Sequence, residues 1–347
     1  AIFTGSSLLL HNMPCIALIG DPSSSTGQVL CSRAQDLSER VPCKIANDLA
    51  TFQAWPLLAE VDIVVVAIAA RGNPALMTEL WPLCPKVKWI HSLAAGVEKL
   101  IPVVLALPGG ADIPLTNAKG AFSRVLAEYS LAAMLHFNKQ IPRLQANRVN
   151  KVWDMFTMNH LHGLTVGLVG FGDIGQATAR VCKALGMRVV ALRNSKGAGD
   201  SGLADMVYYT EDGNKSNVFR EADFVVCSLP GGDATLKFVA GDEFAAMKPT
   251  GIFISIGRGT CVDEDALLEA LREKRIAGAA LDVFAVEPLP SDSPLWNCEN
   301  LLISPHNADF TTDIMECTWK VFLEKLDSFS SPTFAGFDAQ VDKTKGY

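Results

Sequence analysis

The chain has no surplus of positive charge: 30 Lys and Arg stand against 37 Asp and Glu, a formal net charge of −7. Neutralising a phosphate backbone requires the opposite balance, so nucleic acid is not an expected partner. Long apolar runs are also missing. The longest, such as VDIVVVAIAA from Val61 to Ala70, fall well short of the roughly 20 residues a membrane-spanning helix needs, so no membrane partner is expected either. The nine cysteines (15, 31, 43, 84, 182, 227, 261, 298 and 317) are odd in number, scattered and never spaced C-x-x-C. That pattern suggests neither a disulfide framework nor a zinc site, and no metal is expected. Most of them sit in apolar segments, where a thiol behaves as a small hydrophobe. A reducing, cytoplasmic setting is expected, or an organellar stroma or matrix if the opening AIFTGSSLLLHN is the end of a trimmed targeting segment. A tag remnant or a native extension are the other readings of those twelve residues.

At a prior of about 150 residues per domain, 347 residues imply two domains. A composition of 49% hydrophobic and 19% charged residues is enough to bury sizeable cores and excludes disorder as the main state. CIALIG (15–20), TGQVLCSRAQDLSER (26–40), VDIVVVAIA (61–69) and VKWIHS (87–92) alternate strand and helix signals. Continuous apolar strands separated by amphipathic stretches point to a parallel sheet covered on both faces. Apolar residues at helical spacing from Lys119 to Val149 predict one long helix connecting the domains. A second alternation follows in GLTVGLVG (163–170), MRVVAL (187–192), DFVVCSL (223–229), GIFISIG (251–257), AGAALDV (277–283) and NLLISP (300–305), six strands as in a doubly wound dinucleotide fold. After His306 another helix is expected over 309–329, then a loosely ordered polar tail ending VDKTKGY. The expected division is a discontinuous domain of 1–118 and 308–347 around a domain of 119–307.

GFGDIG places Gly170, Gly172 and Gly175 between a strand and a helical stretch, the context a dinucleotide-binding G-x-G-x-x-G needs. Gly170 permits the tight turn, Gly172 lets backbone approach a pyrophosphate, and Gly175 lets helix pack on strand. The helix then opens at Asp173 and Ile174 with unpaired N–H groups facing the phosphates. A glycine-rich turn with no ligand is the plain alternative. About 20 residues past the first glycine, where an NAD site carries an acid for the ribose 2′-OH, stand Arg193, Asn194, Ser195 and Lys196. A carboxylate would repel a 2′-phosphate, whereas Arg193, Ser195 and Lys196 can donate to it. NADP(H) is favoured on this ground, with NAD(H) as the alternative.

Arg258 (ISIGRGT), Glu287 (VFAVEPLP) and His306 (LISPHNAD) each follow a different expected strand, where open α/β sheets place ligands. Taken singly they read as a turn arginine, an acid before proline and a capping histidine. Together with HSLAAGVEKL (91–100), LTNAKGAFSRVLAEYSLAAML (115–135), GLVGFGDIGQATARVCKALGMRVVALR (167–193), MKPTGIFISIGRGTCVDEDAL (247–267) and AGAALDVFAVEPLPSDSPLW (277–296), they carry a resemblance. Over nearly all its length the chain resembles the D-isomer-specific 2-hydroxyacid dehydrogenase family. MRVVALR with SPHNAD resembles that family's NADP-preferring branch, which acts on glyoxylate, hydroxypyruvate and other 2-keto acids.

The resemblance implies an α/β fold of two doubly wound parallel-sheet domains, a flavodoxin-like substrate domain and a Rossmann cofactor domain with the cleft between them. It implies a catalytic triad of Arg258, Glu287 and His306. Histidine suits proton donation near neutral pH, an adjacent carboxylate stabilises the imidazolium, and arginine's fork of donors suits a carboxylate and a carbonyl oxygen. Backbone N–H groups at Ala94, Ala95 and Gly96 would cradle the substrate carboxylate beside Arg258 and His306. Ser228, Leu229 and Pro230 would line the adenosine side. Ile256, Asp282 and His306 complete the implied cofactor contacts, Asp282 at the nicotinamide carboxamide. Substrate side-chain size would depend on loops that include Arg71-Gly72 and Trp296. The helix around Glu128 and Tyr129 would contribute to a two-fold homodimer. The expected partner is a small 2-keto or 2-hydroxy acid. No block of about 80 residues follows the last helix, as a phosphoglycerate dehydrogenase with a regulatory domain would need. A dinucleotide-sensing, corepressor-like interaction protein of the same superfamily is the rival reading.

Overall fold

The computed structural model describes residues 13–67, 73–194, 196, 202–331, 333–337 and 339–346. The chain divides into two compact units, residues 1–121 with 312–347, and residues 122–311. Among the described residues no helix is long and apolar enough to cross a membrane.

The first unit runs β1 (Cys15–Ile19), α1 (Ser25–Ser38), β2 (Cys43–Ala46), α2 (Leu49–Gln53), β3 (Val61–Val66), α3 (Pro74–Leu80), β4 (Trp89–Ser92), α4 (Leu100–Ala106) and β5 (Leu115–Asn117). Its strands form a parallel sheet in the order β2-β1-β3-β4-β5, the doubly wound order of flavodoxin-like folds. The central strands are apolar on both faces because helices cover both, and Ile16, Leu18, Ile63 and Val65 are fully buried. Capping is local: Ser24 Oγ accepts from the Gly27 N–H at 3.0 Å, and Asp48 Oδ1 from the Thr51 N–H at 2.8 Å. The strand expected over 61–69 is described to Val66, and residues 68–70 lie outside the described residues.

The second unit runs α5 (Ser123–Asn138), α6 (Ile141–Asn150), β6 (Thr165–Val169), α7 (Asp173–Ala184), β7 (Arg188–Arg193), β8 (Met206–Tyr209), α8 (Lys215–Glu221), β9 (Phe224–Cys227), α9 (Gly241–Ala246), β10 (Ile252–Ser255), α10 (Glu264–Arg272), β11 (Gly278–Leu281) and β12 (Leu301–Ile303). The sheet is parallel, in the order β12-β11-β10-β9-β6-β7-β8. That is the Rossmann order with one further strand, and its topological switch point lies between β6 and β9. The chain then returns to the first unit through α11 (Ile314–Phe329).

Three expectations are corrected. The second sheet has seven strands rather than six, because β8 is a short edge strand with no fully buried residue and so gives no continuous apolar signal. The single helix over 119–149 is two helices, broken where Gln140 adopts the left-handed region at φ 50° and Pro142 opens the next. The polar tail is docked. The Val341 N–H donates to Leu115 O at 2.8 Å, its side chain joins the core of the first unit, and Lys343 Nζ donates to the carbonyls of Gly110, Ala111 and Ile113. Spacing alone could not reveal this, since the acceptors lie more than 200 residues away in sequence.

Candidate active site

Every expected cofactor and catalytic residue of the second unit that is described sits at or past the carboxyl end of a strand, or at the start of the helix that follows. Gly170 has φ +93°, a conformation closed to most side chains, and the site of a Cβ on Gly175 is 2.3 Å from Gly170 O. Gly172 is the N-cap of α7, and a Cβ there would meet nothing within 4 Å. A tight turn, close helix packing and open space in front of α7's first N–H groups, those of Asp173, Ile174 and Gly175, are what a pyrophosphate requires, so these residues fit a dinucleotide. Across the switch point, Ser228 Oγ donates to Gly170 O at 3.3 Å. Leu229 and Pro230 continue that wall, where Cys261 Sγ lies 3.2 Å from Pro230 O and Thr235 Oγ1 donates to the same carbonyl at 2.7 Å. Ile256 is buried, and its N–H donates to Cys227 O at 3.0 Å.

At the end of β7, Arg193 lies against Phe171, with Nη2 3.4 Å from its carbonyl oxygen and the guanidinium 5.6 Å over its ring. The Asn194 side chain accepts from Thr210 Oγ1 at 2.9 Å. Ser195 lies outside the described residues. Lys196 is engaged by acids that sequence reasoning did not connect to it: Nζ pairs with Asp212 at 2.9 Å, and its N–H donates to Glu211 Oε1 at 3.0 Å. Both acids follow β8, the edge strand missed in the sequence, and the pairing of β7 with β8 brings them alongside.

His306 Nδ1 lies 2.7 Å from Glu287 Oε2, and Glu287 Oε1 accepts from the Phe284 N–H at 2.9 Å. The carboxylate is thus fixed at both oxygens, and Nε2 is the ring nitrogen left for exchange with a ligand. His306 has φ 50°, a left-handed conformation that costs a non-glycine residue about 1–2 kcal/mol. The turn is held from below: the His306 N–H donates to Asp282 O at 2.8 Å, and the N–H groups of Asn307 and Ala308 reach Asp282 Oδ1 at 3.1 and 3.2 Å. Asp282 is 2% exposed. Its Oδ1 also accepts from Ser304 Oγ at 2.6 Å, which in turn lies 2.6 Å from Tyr129 OH.

Arg258 is half-buried, with Nη1 donating to Gly257 O at 3.0 Å. Burial pushes the Asp309 carboxyl above the usual range, while His306 and Arg258 pull it back down and Asp282 adds to the rise. His306, Arg258 and Asp282 thus all lie within electrostatic reach of one side chain. Burial likewise raises Glu264, whose Oε1 accepts from the Ala285 N–H at 2.6 Å and which feels the charge of Glu287. The turn carrying Glu287 is therefore held by two carboxylates. The sequence reading missed Ser304, Asp309 and Glu264. Ser304 and Asp309 were in plain view in SPHNAD, but nothing in their spacing separates a network member from a solvated turn residue.

In the first unit, the Ala94 N–H is taken by Ser92 Oγ at 3.1 Å, and Asn117 Nδ2 donates to Ala95 O at 2.6 Å. These bonds fix the loop. Among the described residues no partner is found for the Ala95 and Gly96 N–H groups. Arg71 and Gly72 lie outside the described residues. Trp296 is half exposed, its Nε1 donating to Pro290 O at 2.9 Å.

Residues 131–308 match the family model of the D-isomer specific 2-hydroxyacid dehydrogenase, NAD binding domain. The chain is 30% identical to a glyoxylate reductase of Korarchaeum cryptofilum over 76% of its own length and 79% of that protein. It is 30% identical to a D-3-phosphoglycerate dehydrogenase of Methanocaldococcus jannaschii over 84% of its length, spanning 54% of that longer protein. An NADPH-dependent glyoxylate/hydroxypyruvate reductase of Sinorhizobium meliloti, solved with NADP and sulfate, superimposes with a TM-score of 0.77 at 25% identity, covering 96% of this chain and 100% of that one. With its two parallel α/β units, glycine loop and strand-end residues, the chain belongs to the D-isomer specific 2-hydroxyacid dehydrogenase family of NAD(P)-dependent oxidoreductases.

Proposed function

We propose that the chain reduces 2-keto acids, glyoxylate, hydroxypyruvate or larger ones, to 2-hydroxy acids, preferring NADPH to NADH. Bound NADPH supplies the hydride. His306 gives the carbonyl oxygen its proton from Nε2 while Glu287 holds Nδ1, and in the oxidative direction His306 takes that proton back. Arg258 anchors the substrate carboxylate and carbonyl oxygens, and the Ala95 and Gly96 N–H groups, with Ala94 in the same loop, bind the carboxylate without adding charge. Gly170 to Gly175, Arg193, Asn194, Ser195, Ser228 to Pro230, Ile256 and Asp282 hold the dinucleotide. The observation that carries this reading is the 2.7 Å contact of His306 Nδ1 with Glu287 at the ends of two strands.

Turnover of a panel from glyoxylate to phenylpyruvate with NADPH tests it. His306→Ala should lose reduction by orders of magnitude in kcat while NADPH still binds. Binding of NADPH without turnover of any 2-keto acid would instead favour the dinucleotide-sensing corepressor-like reading. The proposal includes a homodimer in a cytoplasmic setting. Supporting the dimer, Val149, Trp153 and Met155, at the end of α6 and just past it, are 70%, 93% and 88% exposed, an apolar patch of the kind a two-fold interface covers.

A further inference from the structure

The turn that carries His306 is tied to α5 by a chain of hydrogen bonds through Tyr129 and Ser304, neither of which the reaction as described uses. Ser304 Oγ lies 2.6 Å from Asp282 Oδ1 and 2.6 Å from Tyr129 OH. A serine hydroxyl has one proton, and the carboxylate is the stronger acceptor, so Ser304 donates to Asp282 and accepts from Tyr129. Burial, reinforced by the charge of Asp282 and opposed by the Ser304 hydrogen bond, raises Tyr129 above the usual phenol value, so its proton stays in place to be donated. The direction of the chain is thereby fixed from Tyr129 to Ser304 to Asp282.

Asp282 is where the chain meets the turn. Its carboxylate takes the N–H groups of Asn307 and Ala308, its carbonyl takes the N–H of His306, and these bonds close around a residue at φ 50°. Asp282 is buried, and Ser304 Oγ is the one side-chain donor its carboxylate receives from the described residues. The same helix reaches the other end of the site: Ser123, its first residue, donates through Oγ to Asp173 at the start of α7. One rigid element thus touches both the glycine loop and the histidine turn.

We propose that Tyr129 is a positioning residue for His306, acting through Ser304 and Asp282 to hold the turn that aims the imidazole. Removing the phenolic hydroxyl leaves the Ser304 lone pair unfilled and its hydroxyl free to rotate away from Asp282, which loosens the turn at its strained residue without touching Glu287 or the glycine loop. A misplacement of about 1 Å in a reacting group lowers a rate by up to roughly 100-fold. The inference rests on the proton-donor reading of His306, and its test separates the two.

The full chain carrying Tyr129→Phe, Ser304→Ala or Ser304→Thr is compared with the parent for NADPH affinity, thermal midpoint and kcat and KM of keto acid reduction. Tyr129→Phe and Ser304→Ala should each lower kcat by roughly tenfold or more, with NADPH affinity within about twofold of the parent. Ser304→Thr, which keeps the hydroxyl, should recover most of the rate. Parent-like kcat in both Tyr129→Phe and Ser304→Ala overturns the proposal, whatever happens to the thermal midpoint. So does a loss of NADPH affinity in step with kcat, which would place the network at the nucleotide. If the parent turns over no 2-keto acid, the proton-donor reading fails and positioning is read from the His306 ring signal in histidine-labelled NMR spectra, assigned by its loss in His306→Asn. That signal should move in Tyr129→Phe, and an unmoved signal overturns the proposal.

Discussion

At the scale of single residues, the His306–Glu287 pair makes the sharpest claim. Glu287→Gln keeps an oxygen for Nδ1 but removes the charge that stabilises an imidazolium. Reduction should therefore slow by roughly tenfold or more in kcat while NADPH affinity holds, and a parent-like kcat would reduce Glu287 to a loop residue before a proline. Cofactor choice is the second claim. Lys196 is partly neutralised by Asp212, so Asp212→Asn should tighten NADPH severalfold, whereas Arg193→Asp should narrow or reverse the preference over NADH. Binding titrations of both cofactors decide it. Asp309 supplies a stability claim with a definite sign. A carboxyl raised by burial binds its proton more tightly in the folded state, so its contribution is present below the ordinary value of 3.8 and is lost as pH rises through the higher folded value. Asp309→Asn cannot ionise, and its thermal midpoint relative to the parent should be higher at pH 7 than at pH 3.

At the scale of elements, connections made far apart in sequence decide what the local signals leave open. β8 is nearly silent in hydropathy, yet it brings Glu211 and Asp212 against the segment after β7, where both engage Lys196. The C-terminal tail is polar by composition, yet Lys343 fills a cradle of three carbonyl oxygens left open by the turn before β5. Hydrogen bonds from a charged donor are worth about 1.5–3 kcal/mol when well shielded. Because this one is only half-buried, Lys343→Ala should cost about 1–2 kcal/mol in urea unfolding, with no change in NADPH affinity, since the second unit is untouched.

At the scale of the whole molecule, the apolar patch around Trp153 bears on assembly. The segment after α6 is tied back by Asp154, which pairs with Arg143 at 2.6 Å, and by the Arg143 guanidinium 4.1 Å over the Phe156 ring. Those ties turn Trp153 and Met155 outward rather than into the unit's own core. Light scattering at micromolar concentration should give a dimer for the parent and a monomer for Trp153→Lys. A dimer that survives the substitution would move the interface elsewhere.

The sequence by itself determined the family, most of the strand series and the placing of Arg258, Glu287 and His306 beyond strands. Short apolar runs alternating with amphipathic stretches mark parallel strands covered on both faces, Gly170 and Gly175 of GFGDIG answer to the local backbone of the turn, and Arg258, Glu287 and His306 each follow such a run. What only the tertiary structure decided were relations between residues distant in sequence. It joined Tyr129 to Ser304 across 175 positions, gave Lys196 an acidic partner from just past the next strand, broke a helically periodic segment at Gln140 and seated the tail on the first unit. The physical reason is common to all of these. Periodicity reports which face of an element is apolar, whereas a hydrogen bond or ion pair depends on which polar atoms the packing brings within about 3 Å, and that distance is not encoded in spacing along the chain.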